Sequence, residues 1–124
     1  MFYTFRQNNS GGEYDINDKV NEIVIVEADS AAEANLKAEW IGLYFDGVDN
    51  DLDCECCGDR WDAICEEAEG FDVPTYYDRP ITKVGSKQTN KTDVVIYYKD
   101  GTRKYGVCPS YEWNEETGAY AWSV

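Results

Sequence analysis

Three cysteines, Cys54, Cys56 and Cys57, stand within four positions and are followed by Gly58. The Cys54-x-x-Cys57-Gly58 spacing is that of a knuckle turn, which offers two thiolates to one zinc ion. A tetrahedral site needs two more ligands. With no histidine and no second C-x-x-C, they would have to come from Cys65, Cys108, Cys56 or an aspartate. Zinc at Cys54 and Cys57 is thus half a site, and packed, reduced thiols are the simpler reading, so no cofactor is expected. A second group surrounds the aromatic Phe5 and the run Asp59-Arg60-Trp61. Arg6, Asn8, Asn9, Arg60 and Trp61 could form a nucleotide pocket in which arginine pairs a phosphate, an aromatic ring stacks on the base and asparagine reads its edge. The plainer alternative has Asp59 or a neighbouring carboxylate pair with Arg60 while Trp61 packs beneath.

A third group is acidic. Asp46, Asp49, Asp51, Asp53, Glu55, Asp59, Asp62 and Glu66 belong to a stretch, residues 46–78, that holds twelve acids and one base, Arg60, for a net charge of −11. Counted from Asp49, the sixth and twelfth positions of a calcium-binding loop would be Cys54 and Arg60 instead of glycine and glutamate. An EF-hand is excluded. Such carboxylates either keep the surface solvated or occupy a cleft built for phosphates.

Catalysis has little support. Without histidine, serine and cysteine nucleophiles lack their usual general base and an HExxH zinc site cannot form. Neither GxxxxGK[ST] nor GxGxxG occurs, so nothing points to nucleotide processing, and the protein is not expected to be an enzyme.

The elements that must position these groups follow from periodicity and turn chemistry. Phe2 to Phe5 reads as a short aromatic strand, ended by the turn-forming Gln7-Asn8-Asn9-Ser10-Gly11-Gly12. Val20 to Ala28 is apolar on both faces and predicts a central strand. Ser30 and Glu33 form a capping box that starts a helix, and Gly42 suits its C-cap. On that helix Ala31, Ala34, Ala38 and Ile41 make a small-residue seam, while Leu36 and Trp40 form a second stripe, with Trp40 expected in the core. Residues 62–69 predict a short helix with Ala63, Ile64 and Ala68 inward, ended by Gly70. Asp93 to Lys99 and Thr102 to Val107 flank Asp100-Gly101, the pair of a type I′ hairpin turn. A last aromatic hairpin is predicted from Tyr111 to Trp113 and Tyr120 to Trp122.

The 124 residues, 43% hydrophobic, suffice for one core. The expected architecture is α+β in a single domain, 1–124: an antiparallel β-sheet with one main α-helix packed on it, an acidic, loop-rich lobe at 46–78 and a basic hairpin region at 79–107. The net charge of −14 disfavours direct binding to nucleic acid or an anionic membrane. No run of about 18 apolar residues occurs and the N-terminus lacks a signal-peptide pattern, so a cytoplasmic protein is expected.

The segments MFYTFRQNNSGG, IVEADSAAEAN, IGLYFDGVD and DCECCGDRW, within residues 1–61, resemble an uncharacterised family of small proteins encoded by tailed bacteriophages. The resemblance implies a phage origin and action in the host cytoplasm, where small acidic phage proteins often inhibit defence systems. Two expectations follow from it and from the charge. In the first, the protein is an acidic nucleic-acid mimic whose lobe covers a basic surface of a defence nuclease, a CRISPR effector or a restriction enzyme. In the alternative, it is an oligomeric sponge that sequesters a cyclic or ADP-ribose-like second messenger.

Overall fold

The computed structural model describes residues 1–8, 14–53, 55, 58–77, 79–108, 111–114 and 118–122. Its frame is a five-stranded sheet of β1 (Phe2–Arg6), β2 (Ile23–Glu27), β5 (Val84–Gly85), β6 (Val94–Tyr97) and β7 (Arg103–Gly106), in the order β1-β2-β6-β7-β5. Two-stranded sheets are formed by β3 (Thr75–Tyr76) with β4 (Arg79–Pro80), and by β8 (Tyr111–Asn114) with β9 (Ala119–Trp122). The single helix among the described residues, α1, runs from Ala31 to Ile41. The class is α+β.

The apolar run at the centre of the sequence forms the centre of the sheet because neither of its faces meets water. Val24 and Val26 of β2 join Val95 of β6 and Phe5 and Tyr3 of β1 on one face, in a core that α1 covers with Ala31, Ala34 and Ala38. Ile23 and Ile25 point the other way, into a second core with Val94, Ile96, Phe2 and Ile81. Successive strand residues alternate between these two cores, as the pleat requires.

The sheet is mixed. β1–β2, β6–β7 and β5–β7 are antiparallel, but the central pair, β2 and β6, is parallel with Ile23 opposite Val94 and Val26 opposite Tyr97. A parallel pair needs a long crossover. Here the chain from residue 28 to 93 supplies it, and that crossover contains α1 and the acidic segment.

The helix ends match their chemistry. Ser30 Oγ accepts from the Glu33 N–H at 3.1 Å, and Gly42, at φ 126°, donates its N–H to Ala38 and Glu39. The Trp40 expectation fails: Trp40 is 91% exposed and Leu36 63% exposed. Each lies two positions beyond a seam alanine, about 200° around the helix axis, so seating the alanines against the sheet turns the large residues outward. Trp61, 1% exposed, fills the core instead.

Two further expectations are corrected. Residues 62–69 form no helix. The Asn35 side chain binds both backbone groups of Ile64, accepting from its N–H and donating to its carbonyl, each at 2.8 Å, so this segment is tied to α1 as an irregular stretch, with a turn closed by the Ala68 N–H on the Cys65 carbonyl at 2.9 Å. Ala63 is exposed, whereas Ile64 packs against the core. The β6–β7 connection is not the two-residue type I′ turn. Tyr98 accepts from Gly101 N–H at 3.0 Å and donates to Thr102 at 2.9 Å, closing a three-residue loop in which Gly101 alone has positive φ, 90°. Asp100 stays out of the left-handed region because its carboxylate accepts from the Thr102 N–H and hydroxyl, at 2.9 and 2.6 Å. The final hairpin forms, with Tyr111 paired to Trp122 and Trp113 to Tyr120.

Candidate functional site

Arg60, the one base in the acidic segment, is a structural junction. Its Nε lies 3.3 Å from Asp15 and 3.2 Å from the Tyr44 hydroxyl, and one terminal nitrogen donates to Gln7 Oε1 at 2.8 Å. Its backbone N–H donates to Asp53 Oδ2 at 2.8 Å, and Tyr44 donates to Asp53 Oδ1 at 2.9 Å. Gln7 in turn binds the carbonyls of Asp15 and Asn21, at 3.1 and 3.3 Å. The end of β1, the loop before β2 and the loop after α1 thus meet on one guanidinium, whose five fixed donors suit such a node. Burial, and then the bond to Asp53, raise the Tyr44 phenol, which stays a donor.

This junction sorts the acidic residues named from the sequence. Asp53 and Asp59 are part-buried: the Asp53 carboxylate is 7% exposed, and Asp59 accepts from the Val48 N–H at 2.9 Å. Both brace the loop and are less exposed than the other acids of the expected surface. Asp46, Asp49, Asp51, Glu55, Asp62 and Glu66 are exposed. Asp46 and Asp51 hold positive φ, 56° and 60°, in the tight loop where Leu52 and Asp53 both donate to Gly47. Aspartate tolerates that conformation better than bulky residues do.

Among the described residues, the group named for a nucleotide pocket is divided. Trp61 is buried and offers no ring face, Arg60 is committed to the junction, and neither lines the cleft that Arg6 and Asn8 border. Asn8 donates its amide to Asp59 at 3.2 Å and its backbone N–H to Arg60 at 2.8 Å. Asn9, Cys54 and Cys57 lie outside the described residues, as does Cys56. Among the described residues no group of three or more cysteines and carboxylates is placed to hold a metal. Cys65 is exposed and donates to Glu67 at 2.6 Å, while Cys108 is part-buried.

The cleft bordered by Arg6 and Asn8 encloses about 450 Å³. Its wall also carries Glu22, Asp62 and Asp93 with Tyr14, Tyr76 and Tyr77. Arg6 lies 4.6 Å from the centre of the Tyr77 ring and donates to the Tyr77 hydroxyl, which holds its charge over the aromatic wall. Burial, then the Asp93 charge, raise the Glu22 carboxyl; burial, then Glu22 and Asp93, raise Tyr14. Burial and then Asp93 also push the Cys108 thiol well up, so it is held protonated and is a poor nucleophile. Three carboxylates against one arginine make this an electronegative cleft, hostile to a phosphate. Sequence reading missed Glu22 and Asp93 and named Cys108 only as a zinc ligand; the three meet because β2 and β6 are neighbours: the Ile23 N–H donates to the Asp93 carbonyl at 3.0 Å, and Cys108 N–H to the Asp93 carboxylate at 2.8 Å.

A domain family of unknown function, DUF7296, matches residues 1–113. The chain belongs to this family. The DUF7296 match extends well past the segments at 1–61 that carried the resemblance, and takes in the parallel pair, the junction and the basic hairpin. No curated protein and no solved structure matches this DUF7296 chain. Among its described residues no helix is long and apolar enough to cross a membrane.

Proposed function

We propose that this DUF7296 protein is an acidic binding protein, not an enzyme, that occupies a basic nucleic-acid-binding surface of another protein. One observation carries the reading. The carboxylates of Asp46, Asp49, Asp51, Glu55, Asp62 and Glu66 are exposed on an irregular lobe whose sole arginine is turned inward to Asp15, Tyr44 and Gln7. The lobe therefore shows a partner nearly uniform negative charge, held in place by the Arg60 junction. The resemblance to small phage proteins supports the finer form: an inhibitor acting in the host cytoplasm on a defence nuclease, a CRISPR effector or a restriction enzyme.

The test is displacement of labelled duplex DNA from a panel of purified defence nucleases. Displacement should weaken steeply as salt rises, because it rests on exposed charge. Combining Asp49→Lys, Asp51→Lys, Glu55→Lys and Glu66→Lys should abolish it, while Asp53 and Asp59 are left intact so that the lobe keeps its shape. Unchanged displacement by that variant at normal fold refutes the proposal. The alternative, an oligomeric nucleotide sponge, has behind it the shared position of Arg6 and Asn8 on one cleft. The carboxylates beside them act against it. A rise in melting temperature with a cyclic or ADP-ribose-like nucleotide would revive it.

A further inference from the structure

Each strand of the parallel pair is preceded by an acid, Glu22 before β2 and Asp93 before β6. The register, with Ile23 opposite Val94, sets these acids side by side at one end of the sheet, where both line the cleft of about 450 Å³. Neighbouring like charges oppose each other's ionisation unless a cation joins them. The chain supplies none. All eleven bases are described, and among the described residues none is paired with Glu22, with Asp93 or with Asp62, the third acid of the wall. Arg6 is the one base that lines the cleft, and it is turned to the Tyr77 ring. Arg60, behind Asn8, is shared by Asp15 and Tyr44, and Arg79, across from Tyr76 in β4, does not line the cleft. Burial and then Asp93 raise the Glu22 carboxyl, and no cation is among the charges acting on it. The same wall carries Tyr14, Tyr76 and Tyr77; the last two rings, centres 4.5 Å apart and planes 63° from parallel, form an aromatic corner.

We propose that this cleft binds a small organic cation, an ammonium or guanidinium group on a short hydrocarbon stem. The Glu22 and Asp93 carboxylates accept its N–H donors and gain the counter-charge that the chain withholds from them, while the tyrosine rings take the stem and the flank of the cation. The cleft has the size of a small-molecule pocket. A bare metal ion fits less well, because among the described residues these acids do not converge as a set of three ligands. Glu22 and Asp93 lie outside the acidic lobe, so the proposal does not rest on the lobe's role; Asp62 alone is common to both.

The test is calorimetric titration with 1,4-diaminobutane, and separately with butane-1,4-diol and magnesium chloride, at matched ionic strength. It is run in the background of the four lysine substitutions in the lobe, so that lobe carboxylates do not contribute. The diamine should saturate a single site per chain and the diol should not bind. Glu22→Gln should weaken the diamine by about tenfold or more. Its melting temperature should be no lower than the parent's, because the substitution relieves a like-charge pair. Tyr76→Leu should weaken the diamine severalfold, whereas Tyr76→Phe, which keeps the ring, should not. Nα-acetyl-lysine amide distinguishes the sources of the ammonium: tighter Glu22-dependent binding than the diamine's supports the site with a protein's lysine side chain as its occupant, and weaker binding supports it with a free amine. Diamine binding that does not saturate, that the diol equals, or that Glu22→Gln leaves unchanged overturns the proposal. So does magnesium binding that Glu22→Gln removes while the diamine fails to bind, which would make the cleft a metal site. Failure here leaves DNA displacement by the lobe untouched, and failure of the lobe variants there leaves the Glu22 effect untouched.

Discussion

At the scale of single residues, Arg60 ties together segments from three parts of the chain. Its side chain is 23% exposed, yet it holds Gln7, Asp15, Tyr44 and Asp53. Arg60→Ala leaves the Asp53 carboxylate nearly buried without its cation and is expected to cost about 2–3 kcal/mol in urea denaturation. Arg60→Lys should recover little, because an ammonium cannot reproduce the fixed fork of donors. Tyr97 gives a pH signature. Burial pushes its phenol up to about 12, against the opposing charge of Arg103, and its hydroxyl donates to the Lys19 carbonyl. The unfolded phenol titrates near about 10. Between those values the folded protein holds a proton that the unfolded chain has lost, so stability is expected to fall as pH rises through this window. Tyr97→Phe should flatten that fall in thermal melts.

At the scale of elements, the contrast between the two tryptophans is the sharpest check on how α1 sits. Trp61→Ala opens a hole in the core beneath the loop and is expected to cost about 3–5 kcal/mol. Trp40→Ala removes no buried contact and should change stability by about 0.5 kcal/mol or less. Equal costs would mean that α1 is rotated relative to the sheet. The irregular segment at residues 62–69 is tied to α1 by Asn35. Asn35→Ala removes both hydrogen bonds to Ile64 and is expected to cost about 1–3 kcal/mol. The amides of this segment should then exchange faster with solvent than those of β2, a local opening that hydrogen exchange reads directly.

At the scale of the whole molecule, charge dominates. Twenty-five acids against eleven bases give −14, concentrated in the acidic lobe, while residues 79–104 carry seven bases and two acids. Self-repulsion of this size is screened by salt, so the melting temperature is expected to rise from low to moderate ionic strength. Neutralising Asp49, Asp51 and Glu66 to their amides should raise it at low salt and reduce its salt dependence. A melting temperature indifferent to salt would show that the basic segment already neutralises the lobe within the fold.

The sequence by itself determined what local chemistry controls. The cap at Ser30, the glycine stop at Gly42, the doubly covered apolar strand and the two hairpins follow from side-chain preferences within a few neighbours, and the charge blocks follow from counting. The tertiary structure decided everything that depends on which face or which distant segment a residue meets. Leu36 and Trp40 read equally well as a second buried stripe until the alanine seam takes the sheet and turns them to water. Asp53 looks like every other acid in its run until Tyr44 and Arg60 enclose it. The Asp100-Gly101 turn changed type because Thr102 claims the Asp100 carboxylate. The parallel β2–β6 pairing, and the cleft that sets Glu22 beside Asp93 and Cys108, join residues some 70 or more positions apart across the two strands. No periodicity encodes such contacts, because they are selected by the joint burial of the whole sheet.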